Sequence, residues 1–446
     1  MAEVIPFKGI LYNPQKVDAA SVMAPPYDIV TPEFKKVLYK KSRHNIIRID
    51  FGKDSPGDNM HENRYTRAAQ SLTEWLKNRI FIQDRESSFY CYEINYNPPL
   101  PAFNSPLTKG GHRGVKGEQR GISGHKKTLR GFIGAVRIEE LGTGHIHPHE
   151  MTYSKPKSDR LNILRFCQAN TSPIFSLYSS PERRCSSILE KAAQKKAFIE
   201  AGNGDGFIHR LWQIKNKTSI RTIAKELSGK EILIADGHHR YGTALEYRNE
   251  MNRKGLLKTG KEPFNYVMMF LVNMEEDGLT ILPTHRLAHI KRKKDIHKSL
   301  SPYFDISAIP FNRTSEDQAK KAMFKTMQKG RNVLGMLIKG QKAFHVLRFK
   351  GPYSEIETHR SLRNIDVTIL HKLIFEKLLG VDAFEYEMDA DIVINKLNSG
   401  SLQAAFFLNP TKVHDVKEVA LSGQRMPPKS TYFYPKLLTG MVIYKF

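Results

Sequence analysis

Cysteine is scarce. The 446 residues contain three, Cys91, Cys167 and Cys185, with no CxxC spacing and no even set to pair. That excludes a disulfide framework and a cysteine-ligated zinc ribbon, and it leads us to expect a reducing, cytoplasmic setting. Long apolar runs are missing as well. No stretch reaches the roughly 18 apolar residues that a spanning helix needs, and the opening "MAEVIPFKGILYNPQ" lacks a signal peptide's apolar segment. A soluble protein without a membrane partner is expected. The chain also lacks a GxxxxGK[ST] loop and the protein-kinase signature set, so no nucleotide-binding motif stands out. Acidic residues are few beside basic ones, 45 Asp+Glu to 70 Lys+Arg, a formal net charge of +25. Such a charge favours polyanionic or phosphorylated partners, and by itself it does not separate nucleic acid from small phosphates.

What is present reads as a mixed α/β chain, too long for one ordinary core. "TPEFKKVLYKK" has Thr31 as an N-cap with Pro32 at the first helical position. "RYTRAAQSLTEWLKNR" (64–79) and "SSILEKAAQKKAFIEA" read as further amphipathic helices. "SFYCYEINY", "GFIGAVRI", "SPIFSLY", "NYVMMFLVNM" and "LTILPTHRL" read as strands, and "NVLGMLIKG" with "AFHVLRF" as a hairpin. A basic, glycine-rich stretch covers 108–131. On this reading the chain divides into an N-terminal α/β region over 1–200, a core over 201–300 and a C-terminal α/β region over 301–446.

Four constellations carry candidate chemistry. In "EILIADGHHRYGTAL" (231–245) a short apolar strand runs into a helix, with Asp236, Gly237, His238, His239 and Arg240 at the junction. Free N–H groups and the dipole at a helix N-terminus attract anions, and Arg240 with two histidines makes that end receptive to phosphate. In "HIHPHEMTYSKPKSDR" (145–160), His145, His147 and His149 alternate. With Glu150 they offer zinc ligands, the basis of a metal-dependent hydrolase reading. The alternative use makes Glu150 a general base positioned by His149, with Arg160 neutralising a phosphate. "MPPKSTYFYPKLLTG" supplies Lys429, Ser430, Thr431 and Lys436 in a proline-framed segment suited to an anionic substrate. "APPYD" (24–28) holds Asp28, a candidate for magnesium or a substrate amine.

These stretches resemble the DUF-1015 family nearly end to end, together with "NIDVTILHKLI" and "EPFNYVMMFLV". A subset, "PHE" at 148–150, "DGHHR" at 236–240 and "PKST" at 428–431, also resembles the free L-serine kinases. The resemblance implies a ParB/sulfiredoxin-like core around DGHHR and formation of O-phospho-L-serine. Inorganic pyrophosphate is the donor expected from the family, with ADP or ATP as the alternatives. By motif position it implies Glu150 as the catalytic glutamate and 236–240 as the phosphate site. Mg2+ would then bridge phosphate oxygens with Asp236 as its protein contact, and Lys429, Ser430 and Thr431 would close over serine. A ParB-like nucleic-acid-binding regulatory protein is the rival suggested by charge, although ParB proteins carry a different arginine-rich motif where this chain has DGHHR.

Overall fold

The computed structural model describes residues 2–99, 126–150, 155–202, 206–290 and 295–446. Helix α1 (Pro32–Lys41) starts as its sequence directs, with the Thr31 hydroxyl accepting from Phe34 N–H. Asn63 caps α2 (Arg64–Lys77) in the same way and forms a capping box with Thr66. Two further helices, α3 (Lys155–Cys167) and α4 (His238–Arg253), flank the site described below.

Nine strands build the larger sheet: β1 (Val4–Ile5), β2 (Phe89–Tyr96), β3 (Lys127–Arg137), β4 (Ile146–Pro148), β5 (Ile174–Tyr178), β6 (Ile199–Gly202), β7 (Ile208–Ile214), β8 (Ile232–Asp236) and β9 (Tyr266–Asn273). Their spatial order is β4-β8-β5-β9-β3-β2-β7-β6, with β1 also paired to β3. The β4–β8 and β5–β9 pairs are parallel and the rest antiparallel. Strand β9 shows why the sheet is central. Its side chains alternate between two cores, Tyr266, Met268, Phe270 and Val272 on one face and Val267, Met269 and Leu271 on the other. The two-residue period of a strand delivers every residue of an unbroken apolar run to a buried surface.

A second, wholly antiparallel sheet contains β10 (His285–His289), β11 (Phe304–Pro310), β12 (Val333–Ile338), β13 (Ala343–Phe349), β14 (Ala383–Glu387) and β15 (Ala404–Phe407). Their order is β11-β13-β12-β15-β10-β14. The expected hairpin is there, with Met336 opposite His345. One face of this sheet (Ala288, Leu334, Met336, Phe406) joins the first core, so the two sheets share apolar packing. The other face closes a separate cluster around Leu287, Phe344 and Phe407.

The divisions at 200 and 300 do not match this arrangement. Strands on both sides of residue 200 belong to the larger sheet, and the second sheet begins at His285, before residue 300. "LTILPTHRL" is two strands in different sheets rather than one, because Pro283 lacks the N–H a ladder requires. The helix predicted through Ala201 ends at Ala193, and Ile199–Gly202 is β6 instead. Most of the glycine-rich stretch 108–131 lies outside the described residues. After the second sheet the chain turns back in two separate two-stranded pairings: Tyr432–Tyr434 with Thr280–Leu282, and Tyr444–Lys445 with Ala169–Asn170. That return carries PKST toward PHE and DGHHR. Among the described residues no helix is long and apolar enough to cross a membrane.

Candidate active site

Strand β8 ends at Asp236, and Gly237 turns the chain into α4 with φ +95. The positive φ is what calls for glycine, since a Cβ there would meet only the movable end of the Arg240 side chain, 2.9 Å from Nε. The backbone N–H groups of the first α4 turn therefore open at the end of β8, beside the parallel strand β4 that leads to His149 and Glu150. The C-terminal segment completes the third side. Met426 N–H donates to His149 O at 2.7 Å, which seats the PKST turn against PHE.

His149 is fully buried, and its ring bridges the three motifs. Nδ1 lies 2.7 Å from Ile234 O and must donate, because a carbonyl only accepts. Nε2 then accepts from the Thr431 hydroxyl at 2.9 Å. Burial pulls His149 down to about 4, so the ring is neutral at pH 7 and this tautomer holds. His149 N–H also makes a long bond, 3.4 Å, to His238 Nε2. His238 is buried at the first position of α4 and is likewise held neutral by desolvation. Both histidines organise the site, and His149 has no ring nitrogen left for a substrate.

Two carboxylates meet here in opposite electrostatic states. Glu150 accepts from the Lys429 backbone N–H. Burial nevertheless pushes its carboxyl up to about 7, against the lowering influence of that hydrogen bond and of the Lys429 and Lys436 charges. Asp236 is ion-paired to Lys436 Nζ at 3.2 Å and lies 3.6 Å from Arg240 Nη2. Those cations hold its carboxyl well below the usual range despite burial. A carboxyl near 7 exchanges protons at neutral pH, and one held ionised serves as a fixed charge. Of the two, Glu150 has the state a general base needs, and Asp236 has the state of a fixed charge rather than of a proton-transferring residue.

Lys436 also sits 4.3 Å over the Tyr432 ring and feels the charge of Asp28, an exposed residue of the short turn Tyr27–Ile29. Lys429 adopts φ +58, a left-handed conformation uncommon for lysine, and this aims its N–H at Glu150. Ser430 donates to Pro427 O at 2.6 Å, and its carbonyl accepts from Thr411 at 2.8 Å. Ser430 and Thr431 thus hold the turn in shape. Within PKST the side chain left to face a ligand is the exposed Lys429.

Arg160 is corrected. Rather than facing a phosphate, the residue is 5% exposed and its guanidinium donates to Asp50 at 3.0 Å and to Asp159 at 2.6 and 2.9 Å, with Tyr27 stacked 4.1 Å away. Its donors are held inside the fold, beside a cavity of about 40 Å³ lined by Asp50, Thr171, Ser172, Arg240 and Thr243. Arg160→Ala should cost about 3–5 kcal/mol, because it strands the Asp50 carboxylate in the core. Denaturant unfolding checks this. A loss under 1 kcal/mol would mean that Asp50 finds other partners.

The alternating histidines do not converge on Glu150. His145 Nδ1 lies 3.0 Å from Glu231 Oε1, and His147 Nε2 contacts the other oxygen of the same carboxylate. His149 turns to Ile234 and Thr431. Among the described residues the group with ligand atoms close enough to share an ion is His414, Asp415 and Glu418, and it includes none of the alternating histidines or Glu150. The hydrolase reading loses its ligand set.

Sequence reasoning passed over Arg425, whose charge acts on His238, and Arg286, which touches the PKST turn. Arg425 stands next to the MPPKST motif in sequence. Arg286 is the one Lys or Arg in LTILPTHRL, a segment that reads as strand, and that is the signal by which it is found.

A free serine kinase in complex with AMP is 12% identical over 67% of this chain and 89% of its own, with a TM-score of 0.32. A conserved hypothetical protein from Pyrococcus furiosus is 13% identical over 65% of this chain and 87% of its own, at 0.29. SbnI with a C-terminal truncation, from Staphylococcus aureus, is 9% identical over 69% and 85%, at 0.35. No curated protein matches the sequence. A family described as "Protein of unknown function (DUF1015)" matches residues 4–100 and 117–368. With most of its length in that match, the chain belongs to the DUF1015 family.

Proposed function

We propose that this protein is a small-molecule kinase that transfers a phosphoryl group to the hydroxyl of L-serine. The observation that carries the reading is the pairing of a proton-accepting Glu150, held near 7, with the ionised Asp236–Lys436–Arg240 group at the N-terminus of α4. Phosphoryl transfer asks for little else: fixed charge for the donor and a base for the attacking hydroxyl. The serine oxygen bonds to phosphorus as its proton passes to Glu150. The bridging P–O bond breaks, and the leaving phosphate takes the electron pair. Lys436, Arg240 and the first N–H groups of α4 neutralise the donor, and Lys429 lies beside the acceptor. The resemblance of PHE, DGHHR and PKST to serine kinases supports this assignment.

Mg2+ suits the residues present. Asp236 and Asp28 both act on Lys436, and such ions take one or two carboxylates beside substrate phosphates and water. Those two side chains would hold it, and when bound it would neutralise charge on the donor.

Pyrophosphate is the proposed donor, on the family resemblance and the lack of any nucleotide motif. The test follows O-phosphoserine by ³¹P NMR with L-serine and Mg2+, supplying pyrophosphate, ADP or ATP in turn. Fastest turnover with pyrophosphate is expected. Turnover with a nucleotide alone would replace the donor, and none with any donor would remove the kinase reading.

Arg240→Ala should weaken donor binding about tenfold, the effect of losing one charge-assisted hydrogen bond, while the melting temperature moves little. Arg240 also donates to Pro173 O and, at 3.3 Å, to Ser172 Oγ, and it lies 3.6 Å from Asp236, contacts whose loss the melting temperature reads separately from donor affinity. Unchanged donor affinity with a lowered melting point would make the residue purely architectural.

A further inference from the structure

Arg286, in β10 of the second sheet, is fully buried at 0% exposure. Buried cations are ordinarily matched by a carboxylate, because desolvating an unmatched charge costs several kcal/mol. Among the described residues the partners of Arg286 are of another kind. Nη2 donates to Lys429 O at 2.8 Å and to Pro428 O at 3.4 Å, Nη1 to Thr284 O, and Nε to His371 Nε2 at 3.4 Å. Tyr386 lies 4.9 Å beneath the guanidinium. The carboxylate whose charge reaches it is Glu150.

The peptide unit between Pro428 and Lys429 joins the two groups. Its carbonyl accepts from Arg286 at 3.4 Å, the shorter 2.8 Å bond holding the Lys429 carbonyl just beyond it, and its N–H donates to Glu150. A hydrogen bond at one end of a peptide polarises the other, so a cation on the carbonyl strengthens the N–H as a donor. We propose that Arg286 is a positioning residue for Glu150, clamping the Pro428–Lys429 peptide from the second sheet and favouring the ionised carboxylate through it. The kinetic part of this rests on the reading of Glu150 as the base; the electrostatic part stands without it.

The other groups acting on Glu150 are Lys429, Lys436 and Asp236. Around Arg286 lie His371, His285 and Tyr386. Burial pulls both histidines down to about 3, and Arg286 itself only to about 10. His371, His285 and Arg286 do not change charge between pH 5 and 9, so they add no titration of their own to the Glu150 midpoint in that window.

The test uses the full chain with ¹³C-labelled glutamate, the Glu150 signal being assigned by its loss in Glu150→Gln. Arg286→Gln keeps an amide donor and removes the charge. It should raise the Glu150 midpoint by about one pH unit and move the acid limb of turnover by the same amount. Arg286→Lys keeps the charge but cannot fork across two carbonyls, and its midpoint should fall between wild type and Arg286→Gln. A wild-type midpoint in either folded variant overturns the proposal, whatever happens to melting temperature. Should Glu150→Gln retain turnover, the base reading fails, and the NMR midpoint still decides the role of Arg286.

Discussion

Replacing Glu150 by Gln should lower turnover about 10²- to 10⁴-fold, the usual contribution of a positioned general base, and leave the fold intact. The amide still offers Oε1 to the Lys429 N–H, so this second contact between PKST and PHE survives. What disappears is the ability to take a proton from the acceptor hydroxyl of the proposed reaction. Donor affinity should hold or rise slightly, because a negative charge near Asp236 and the bound phosphates is removed. The pH dependence of the wild type gives a second check. With Glu150 near 7, the proton-accepting form is the minority below that value and dominates above it. Turnover should therefore climb from pH 6 to pH 8 and then level off. A flat profile over that window, or a Gln variant with near-wild-type turnover, would remove Glu150 from the mechanism and leave Asp28 as the remaining carboxylate.

How much of this was legible in the sequence depends on the range of each interaction. The turn at 236–240 was readable, because an apolar run, a glycine and a helical period are all local features. The hydrogen bond between His149 and Thr431 joins residues 282 apart, and no spacing rule reaches that far. Its motifs could be grouped only through the family resemblance. Arg160 shows the opposite failure. A basic residue near a glutamate looks like a phosphate ligand, and only the fold reveals Asp50, 110 residues earlier, buried against it. The domain limits missed for a related reason: β9 pairs with both β3 and β5, so chain proximity says little about sheet membership. The neutral tautomer of His149 and the high proton affinity of Glu150 come from burial, which no motif encodes.

Lys436→Met should weaken donor binding about 10- to 150-fold, the equivalent of one charged hydrogen bond worth about 1.5–3 kcal/mol. The same change should destabilise the protein by about 1–3 kcal/mol, since it leaves the half-buried Asp236 carboxylate facing only Arg240 at 3.6 Å. Those two losses have different origins, and a second substitution separates them. Adding Asp236→Asn removes the stranded negative charge, so the double variant should regain most of its melting temperature. It should not regain the donor, because the cation that met the phosphate is still missing and a carboxylate suited to Mg2+ has gone too. Calorimetric titration of pyrophosphate with Mg2+, set beside thermal unfolding of the two single variants and the double, reads both quantities. Were Lys436 present only to neutralise Asp236, the double variant would bind pyrophosphate as tightly as Asp236→Asn alone, and the anion site would have to be sought elsewhere along α4.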